Sequence, residues 1–149
     1  MADLAVRERI LAALFARLQA RLQPAGDGQA AVSCRRNPGA PQDQRAAVDQ
    51  YDGGHDVTYA SDTGHSLFGL QVDLMLFSPD GPELNELYAR VRDAIDLDST
   101  LGELADDTRE LRLAEPVPGN VPGHADIVAA PLTILIEFRT RDGNVRALN

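Results

Sequence analysis

Two stretches of the chain repeat apolar residues every three or four positions, which is the spacing of a helix that buries one face. The first runs from Asp3 to Leu22, and Pro24 follows and ends it. Asp3 is placed to cap the free N–H groups of the first turn. The second runs from Glu83 to Ile95 and follows Pro82, a residue that suits a first helical turn. The pattern therefore predicts two amphipathic helices.

Other segments alternate apolar and polar residues, as strands do. The strongest are Leu67 to Phe77 and Asp126 to Arg141, and the weaker ones are Ala30 to Arg36, Arg45 to Tyr51, Val57 to Ala60 and Thr108 to Ala114. Pro131 cannot donate to a neighbouring strand, so it predicts a bulge or an edge position. The order of these elements predicts the α+β class, with a single mainly antiparallel sheet and two principal helices packed on it.

Two connections carry signals of their own. Residues 37–64 are polar and rich in glycine, with few large apolar side chains. We therefore expect one domain over residues 1–149, with a long flexible loop at about residues 37–64. Thr100 and Glu103 stand at capping-box spacing, which predicts a single capped helical turn over Leu101 to Leu104.

Composition narrows the classes of protein to which the chain can belong. All 14 basic residues are arginines, and 23 acidic residues bring the net charge to −9, which argues against wrapping duplex nucleic acid. Cys34 is the only cysteine, so the chain fits a reducing compartment. Charged residues interrupt the first 22 positions, and the apolar stretch 127–136 is far shorter than the ~20 residues that span a bilayer. We expect a cytosolic product without a membrane partner.

Charge is distributed unevenly along the chain. Residues 1–48 hold 7 arginines and 4 acidic residues, net +3, whereas residues 49–115 hold 4 arginines and 16 acidic residues, net −12. The remaining residues hold 3 of each. Two interpretations stay open, a solvated acidic face on a monomer or a head-to-tail contact between oppositely charged patches of neighbouring subunits.

Residues that could carry chemistry are few and scattered. His55, His65 and His124 lie in predicted loops without a second cysteine, so we expect solvated histidines and no zinc site. Cys34 has no adjacent histidine and lies on a predicted strand, where a small buried residue is the ordinary role. We therefore expect no catalytic residue, no metal site and no cofactor. A small cytosolic enzyme or ligand-binding α+β domain remains the rival class.

Five segments together carry a family resemblance. They are Ile10 to Leu14 in the first predicted helix, the strand Leu67 to Phe77, the second predicted helix over Leu84 to Ile95, the segment Leu101 to Asp107, and the closing segment Ile136 to Gly143. This arrangement, with a leucine-glycine segment and a last strand that closes on phenylalanine, arginine, threonine and arginine, resembles the tail terminator proteins of long-tailed bacteriophages and of related particles such as gene transfer agents. Neighbouring head–tail joining and tail-completion proteins share a comparable size and layout and stay open as alternatives.

The resemblance implies a structural virion protein without enzymatic activity. Such a protein forms a ring, a homohexamer in this family, that caps the tail tube, stops its polymerisation and provides the interface for the head. The implied partners are further copies of the chain, the tail tube protein and the head–tail connector protein. DNA can pass through such a ring without sequence-specific recognition. The implied location is the host cytoplasm during assembly and then the tail of the particle.

The resemblance also directs attention to ion pairs between subunits, because arginine suits bidentate pairing with carboxylates. The candidate interface residues are Arg35, Arg36, Arg139 and Arg141, with Asp96, Asp106 and Asp107 as their acidic partners. The predicted loop at residues 37–64 is the candidate for contact with the tube or with a neighbouring subunit.

Overall fold

The computed structural model describes residues 4–24, 30–60, 64–141 and 144–148, in which each of two helices is followed by a group of strands. The elements are α1 (Val6–Leu22), β1 (Ser33–Arg36), β2 (Ala47–Ala60), β3 (His65–Ser78), α2 (Gly81–Asp96), β4 (Asp107–Leu113), β5 (Val117–Pro118), β6 (Val128–Arg141) and β7 (Asn144–Leu148). The predicted α+β class with two helices is confirmed. Among the described residues, no helix combines the length and the apolar character that crossing a bilayer requires.

The strands form one sheet in the order β1-β2-β3-β6-β4, and β5 and β7 also pair with β6. Every pairing is antiparallel except that of β1 with β2, which is parallel. The predicted antiparallel character is therefore right for most of the sheet, and β1 makes the sheet mixed. The long strands β3 and β6 lie side by side in its centre, with Leu74 opposite Leu132.

Both helices pack their apolar faces on one side of this sheet. The buried sheet residues on that side are Leu70, Val72, Leu74 and Leu76 of β3 and Leu132, Ile134, Ile136 and Phe138 of β6. Burial of these side chains supplies the main driving force for folding. At the start of α2, the Asp80 carboxylate accepts a hydrogen bond from the Glu83 backbone N–H at 2.8 Å, and Pro82 lies in the first turn.

The first helix begins later than predicted. Its N-cap residue is Ala5, which makes no side-chain capping hydrogen bond. Asp3, the predicted cap, lies outside the described residues. The apolar stripe from Val6 to Leu22 is buried throughout, so packing on the sheet and not a side-chain cap holds this helix in place.

The prediction of a loop over residues 37–64 is wrong for residues 47–60, which form the 14-residue strand β2. The weaker predicted strands, Arg45 to Tyr51 and Val57 to Ala60, correspond to the two ends of this one strand. The register of β2 against β3 shifts between Asp52 and His55 and again between Val57 and Tyr59. Each shift breaks the period-two alternation by which a strand is recognised from sequence. Residues 37–46 are irregular, and residues 61–63 lie outside the described residues.

The segment after α2 is a tight turn and not the predicted helical turn. Leu101, Gly102 and Glu103 have φ values of 51, 74 and 67°, all left-handed. The Thr100 hydroxyl accepts a hydrogen bond from the Glu103 N–H at 3.1 Å, as a capping box requires. In a capping box the Glu103 side chain would accept a hydrogen bond from the Thr100 N–H in return. Here the Asp98 carboxylate accepts that hydrogen bond, at 2.9 Å.

Pro131 lies in the central strand β6. Its nitrogen has no hydrogen to donate, but no strand of the described chain lies opposite that nitrogen. Its carbonyl accepts a hydrogen bond from the Ala114 N–H at 3.0 Å, so its nitrogen faces the same side. That side falls between Leu113, the last residue of β4, and Val117, the first of β5. Pro131 therefore lies in a central strand, at the point where one neighbouring strand, β4, has ended and the next, β5, has not begun.

Candidate assembly surfaces

Arg35, which the sequence analysis assigned to an interface between subunits, binds Asp49 within the same chain. Its Nε and Nη2 atoms donate to the two carboxylate oxygens at 2.9 and 2.7 Å, a bidentate geometry. Asp49 is 1% exposed, and the Gln42 side chain donates a further hydrogen bond to it at 2.8 Å. The hydrogen bond to Asp49 raises the pKa of Arg35. The ion pair therefore links β1 to β2 between residues that lie opposite each other in the two strands.

Arg36 is also engaged within the chain. Its two terminal nitrogens donate to the Glu8 carboxylate at 2.9 and 2.8 Å, and its Nε donates to Asp52 at 3.0 Å. The hydrogen bond from Arg36 lowers the pKa of Glu8. Because Asn37 donates to the same Asp52 oxygen at 2.8 Å, the cluster joins α1, β1 and β2. Neither Arg35 nor Arg36 is left unpaired for a neighbouring subunit.

The structure brings together two other predicted interface residues, Asp106 and Arg139. Arg139 donates through Nε to the Asp106 carboxylate at 2.7 Å, and about half of each side chain is exposed. Exposed pairs of this kind contribute ~0.2–1 kcal/mol to stability. The pair lies where β4 begins beside β6, on the surface and within reach of a partner.

The remaining three predicted interface residues lie apart from one another. Asp96 accepts from Arg92 one helical turn earlier, at 3.2 Å. Asp107 begins β4 opposite Glu137, and Arg141 ends β6 opposite His65. Within the described part of the chain, no ion pair is formed by Asp107 or by Arg141. These two side chains therefore keep their charge available at the sheet margin.

Most arginines of the basic first segment are paired within the fold. Arg17 and Arg45 from the basic first segment lie 3.8 and 2.7 Å from the carboxylates of Asp98 and Asp126. Arg35 and Arg36 likewise reach acidic residues beyond residue 48. Four of the seven arginines in the first segment are thus used within the chain. A contact between subunits must draw on other surface groups.

Asp98 organises the left-handed turn that follows α2. Its carboxylate accepts hydrogen bonds from the Thr100 hydroxyl at 2.5 Å, from the Gly102 N–H at 2.9 Å and from the Thr100 N–H. These bonds, led by that of the Thr100 side chain, lower the pKa of Asp98 to about 2. Arg17 of α1 lies beside the same carboxylate. The turn is therefore fixed to the first helix through one acidic side chain.

We expect the stabilising effect of Asp98 to depend on pH. Its folded-state pKa of about 2 lies below the ordinary value of 3.8, so its contribution is complete above pH 4 and is lost as the pH falls through 2. The difference in unfolding free energy between the wild type and Asp98→Asn should shrink steadily between pH 4 and pH 2. Urea denaturation across that range measures it, and a difference that stays constant would contradict the assignment.

Cys34 and two of the three histidines lie in strands, and His124 lies between β5 and β6, in a loop as predicted. His55 and His65 lie in strands and not in the predicted loops. The His55 ring contacts Phe68 edge-on at 5.1 Å between centroids, and its Nδ1 lies 3.0 Å from an Arg7 nitrogen. Cys34 is buried, as predicted, and burial raises the pKa of its thiol to about 11. Among the described residues, no three His, Cys, Asp or Glu side chains are placed to hold a metal ion.

The face of the sheet opposite the helices is covered at one end, where Ala47, Phe77, Val121, Ile127 and Ala129 form a second buried cluster. The rest of this face is open in part. Gln71 and Asp73 of β3 are exposed there, and the Thr133 hydroxyl donates to Asp73 at 2.7 Å. Apolar side chains lie between these polar ones, among them the half-buried Met75 and Leu135. The exposed part of this face is therefore available for contact with another protein.

Both edges of the sheet are also open in part. The parallel strand β1 covers only Ala47–Gln50 of β2, so residues 53–60 have β3 on one side and no strand of the described chain on the other. At the opposite edge, β4 pairs with β6 alone. Large exposed apolar side chains stand at both edges: Tyr51 and Val57 on β2, Leu111 on β4, Val117 on β5 and Val145 on β7.

The sequence predicted two short strands here, Arg45 to Tyr51 and Val57 to Ala60, the second from β-branched and aromatic residues that favour strands. Gly53 and Gly54 interrupt the pattern between them, so the continuity of β2 and its long exposed edge were missed. The predicted role of residues 37–64 as a contact segment stays a prediction, and it now attaches to an exposed strand.

Comparisons with known proteins give a limited result. No protein-family profile matches the sequence. No curated protein matches it either. A similar chain occurs in a solved structure, the virion of native gene transfer agent (GTA) particle. The likeness covers 89% of this chain and 90% of that chain, at 14% sequence identity and a TM-score of 0.38. At that TM-score the likeness carries no inference about function.

Proposed function

We propose that this chain is a structural subunit of a phage-like tail, a tail terminator that closes into a ring on the end of the tail tube. The sequence resemblance described above supports this role. The observation that carries the proposal is the architecture of the sheet, which has helices on one face and a partly unpaired strand at each edge.

This architecture suits head-to-tail association. A ring built from identical subunits needs two different surfaces on opposite sides of each subunit, so that each copy binds the next in the same way. One edge is β4, at the end of the sheet order. The other is the part of β2 beyond Gln50, which β1 at the opposite end does not cover, and the two edges differ in sequence. Six copies are part of the proposal, in keeping with the family that the sequence resembles.

The proposed role is architectural and needs no catalytic group or cofactor. One face of the ring would contact the last ring of tail tube protein and stop its polymerisation, and the other would receive the head–tail connector. The exposed Arg139–Asp106 pair and the unpaired charges of Asp107 and Arg141 are available for such contacts. DNA would pass through the ring without sequence-specific recognition.

Tail tubes assembled without a terminator provide the test. We expect the purified chain to add a ring at one end of each tube, visible by electron microscopy, and to stop further growth when tube protein is added. Mass photometry of the released rings should give six times the 16.1 kDa mass of the chain. Tubes that keep uncapped ends and continue to grow at a molar excess of the chain would overturn the proposal.

A further inference from the structure

The two open edges run in opposite directions. β2 is antiparallel to β3, β3 to β6 and β6 to β4, so three reversals make β2 and β4 antiparallel to each other. Rotation about an axis along the strands leaves strand direction unchanged. In a ring with that axis, β4 of one copy therefore meets β2 of the next in antiparallel orientation, which permits a hydrogen-bonded ladder between subunits.

Charged side chains at the two edges are complementary. Asp56 of β2 and Arg112 of β4 are exposed, and within the described residues neither forms an ion pair. Asp56 belongs to the row of Gly69 and Glu137, and Arg112 lies opposite Thr133. Glu137 and Thr133 are four residues apart on β6 and share one face, so Asp56 and Arg112 project from the same face of the sheet.

These charges discriminate between possible pairings. Two β2 edges brought together would place Asp56 beside a second Asp56, and two β4 edges would place two Arg112 side chains together. Like charges directly opposite each other destabilise a strand pair, whereas opposite charges stabilise it. Contact of β2 with β4 is the combination that pairs opposite charges, and it is the one that a head-to-tail ring uses.

We propose that residues 55–57 of β2 pair antiparallel with residues 111–113 of β4 in a second copy of this chain, with Asp56 opposite Arg112 and Val57 opposite Leu111. The proposal rests on the proposed function, in which the chain associates head to tail. The same register brings together two exposed apolar side chains, Val57 and Leu111, which are 58 and 45% exposed in the isolated chain. Leu111 has no register partner on β6, so it is the extra residue of a bulge and faces no strand of its own subunit.

Irregularities in β2 limit the pairing to a short stretch. The register shifts against β3 fall between Asp52 and His55 and between Val57 and Tyr59, on either side of residues 55–57. On the approach to this stretch, Asn37 accepts a hydrogen bond from the Asp52 N–H at 2.9 Å, and Arg7 donates to the Gly53 carbonyl. Bulges and side-chain contacts of this kind keep an edge from indiscriminate pairing, so they fix one register.

Disulfide formation between two single-cysteine additions tests the register. Side chains directly opposite each other in adjacent strands have Cβ atoms ~4.5–5.5 Å apart, close enough for a disulfide after a small adjustment. We expect Val57→Cys chains mixed with Leu111→Cys chains to form a covalent dimer under mild oxidation. The buried Cys34 stays in place in every sample. Neither variant alone should cross-link, because each edge meets the other edge and not itself.

A matched control replaces the second partner by Leu97→Cys, which is also 58% exposed but lies after α2. Mixed with Val57→Cys, this variant should give no dimer above background. A second arm reverses the charges: Asp56→Arg should reduce ring formation at least tenfold, and Asp56→Arg combined with Arg112→Asp should restore it. Dimers from Val57→Cys alone, or equal yields with Leu97→Cys and Leu111→Cys, would overturn the proposed pairing.

The outcomes separate this pairing from the proposed function. Rings that cap tail tubes but give no cross-link between Val57→Cys and Leu111→Cys leave the function standing and overturn the strand pairing. Cross-linked rings that never cap tubes support the strand pairing and overturn the terminator role. A chain that neither cross-links nor caps tubes overturns both.

Discussion

Replacement of Arg35 by methionine is expected to lower the free energy of unfolding by about 3 kcal/mol, the lower end of the range found when one partner of a buried ion pair is removed, because Arg35 itself is 26% exposed. Asp49 is 1% exposed and accepts both bidentate hydrogen bonds of the pair from Arg35. Without the guanidinium, the Gln42 amide is the one side chain among the described residues that still donates to that carboxylate. The substitution therefore leaves a buried charge without its counter-charge.

A double-mutant cycle tests this explanation. Asp49→Asn removes the negative charge and preserves the shape of the side chain, so the combination with Arg35→Met should lose less stability than Arg35→Met alone. The control is Arg139→Met in the exposed pair with Asp106, for which we expect a loss of ~1 kcal/mol or less. Urea denaturation followed by circular dichroism measures all four variants. A loss below about 1 kcal/mol for Arg35→Met would contradict the structural role.

The same experiment distinguishes a fold contact from an interface contact. If Arg35 acted between subunits, its replacement would weaken ring formation and leave the isolated chain as stable as before. We expect the reverse, because the acceptor of the bidentate pair, Asp49, lies in the adjacent strand β2 of the same chain. Unfolding at two protein concentrations separates these cases, since only the stability of an associated state depends on concentration.

Local signals account for the elements that could be predicted from the sequence. The apolar stripe of α2 and its Asp80–Pro82 start are contained within one segment, as is the alternation of β3. The apolar face of α2 and that of β3 then pack together in one core. The two short strands predicted within β2 were not recognised as one strand, because their continuity depends on β3, which pairs with β2 across two register shifts.

The candidate site residues show a different limit of sequence reasoning. Composition and spacing identified Arg35 and Arg36 as side chains suited to carboxylates, which is correct, but the partners depend on topology. The parallel pairing of β1 with β2 puts Arg35 opposite Asp49, 14 positions further along the chain. No local sequence pattern indicates that two strands pair in parallel. Arginines that form ion pairs within the chain were therefore predicted to form them between subunits. The open edges are likewise a property of strand order.

Gly53→Ala is expected to be the most damaging single change in the exposed half of β2. A Cβ atom at this position would lie 2.3 Å from the backbone oxygen of Gln71 and 3.1 Å from its carbonyl carbon. Because those atoms belong to the backbone of β3, no side-chain rotation relieves the clash. The two strands must separate at the bulge, and we expect a loss of about 3 kcal/mol, the upper part of the range for overpacking.

Gly54→Ala is the matched control, since a Cβ there meets no atom within 4 Å and the residue has no left-handed φ. Its effect should stay within about 0.5 kcal/mol of the wild type. Gly53→Ala should also speed amide hydrogen exchange in residues 55–57, because they follow the displaced bulge. Combined with Val57→Cys, it should abolish the cross-link to Leu111→Cys, which Gly54→Ala should preserve. Equal losses of stability in the two alanine variants would show that β2 and β3 are not closely packed at Gly53. That result would contradict the register assigned to this bulge.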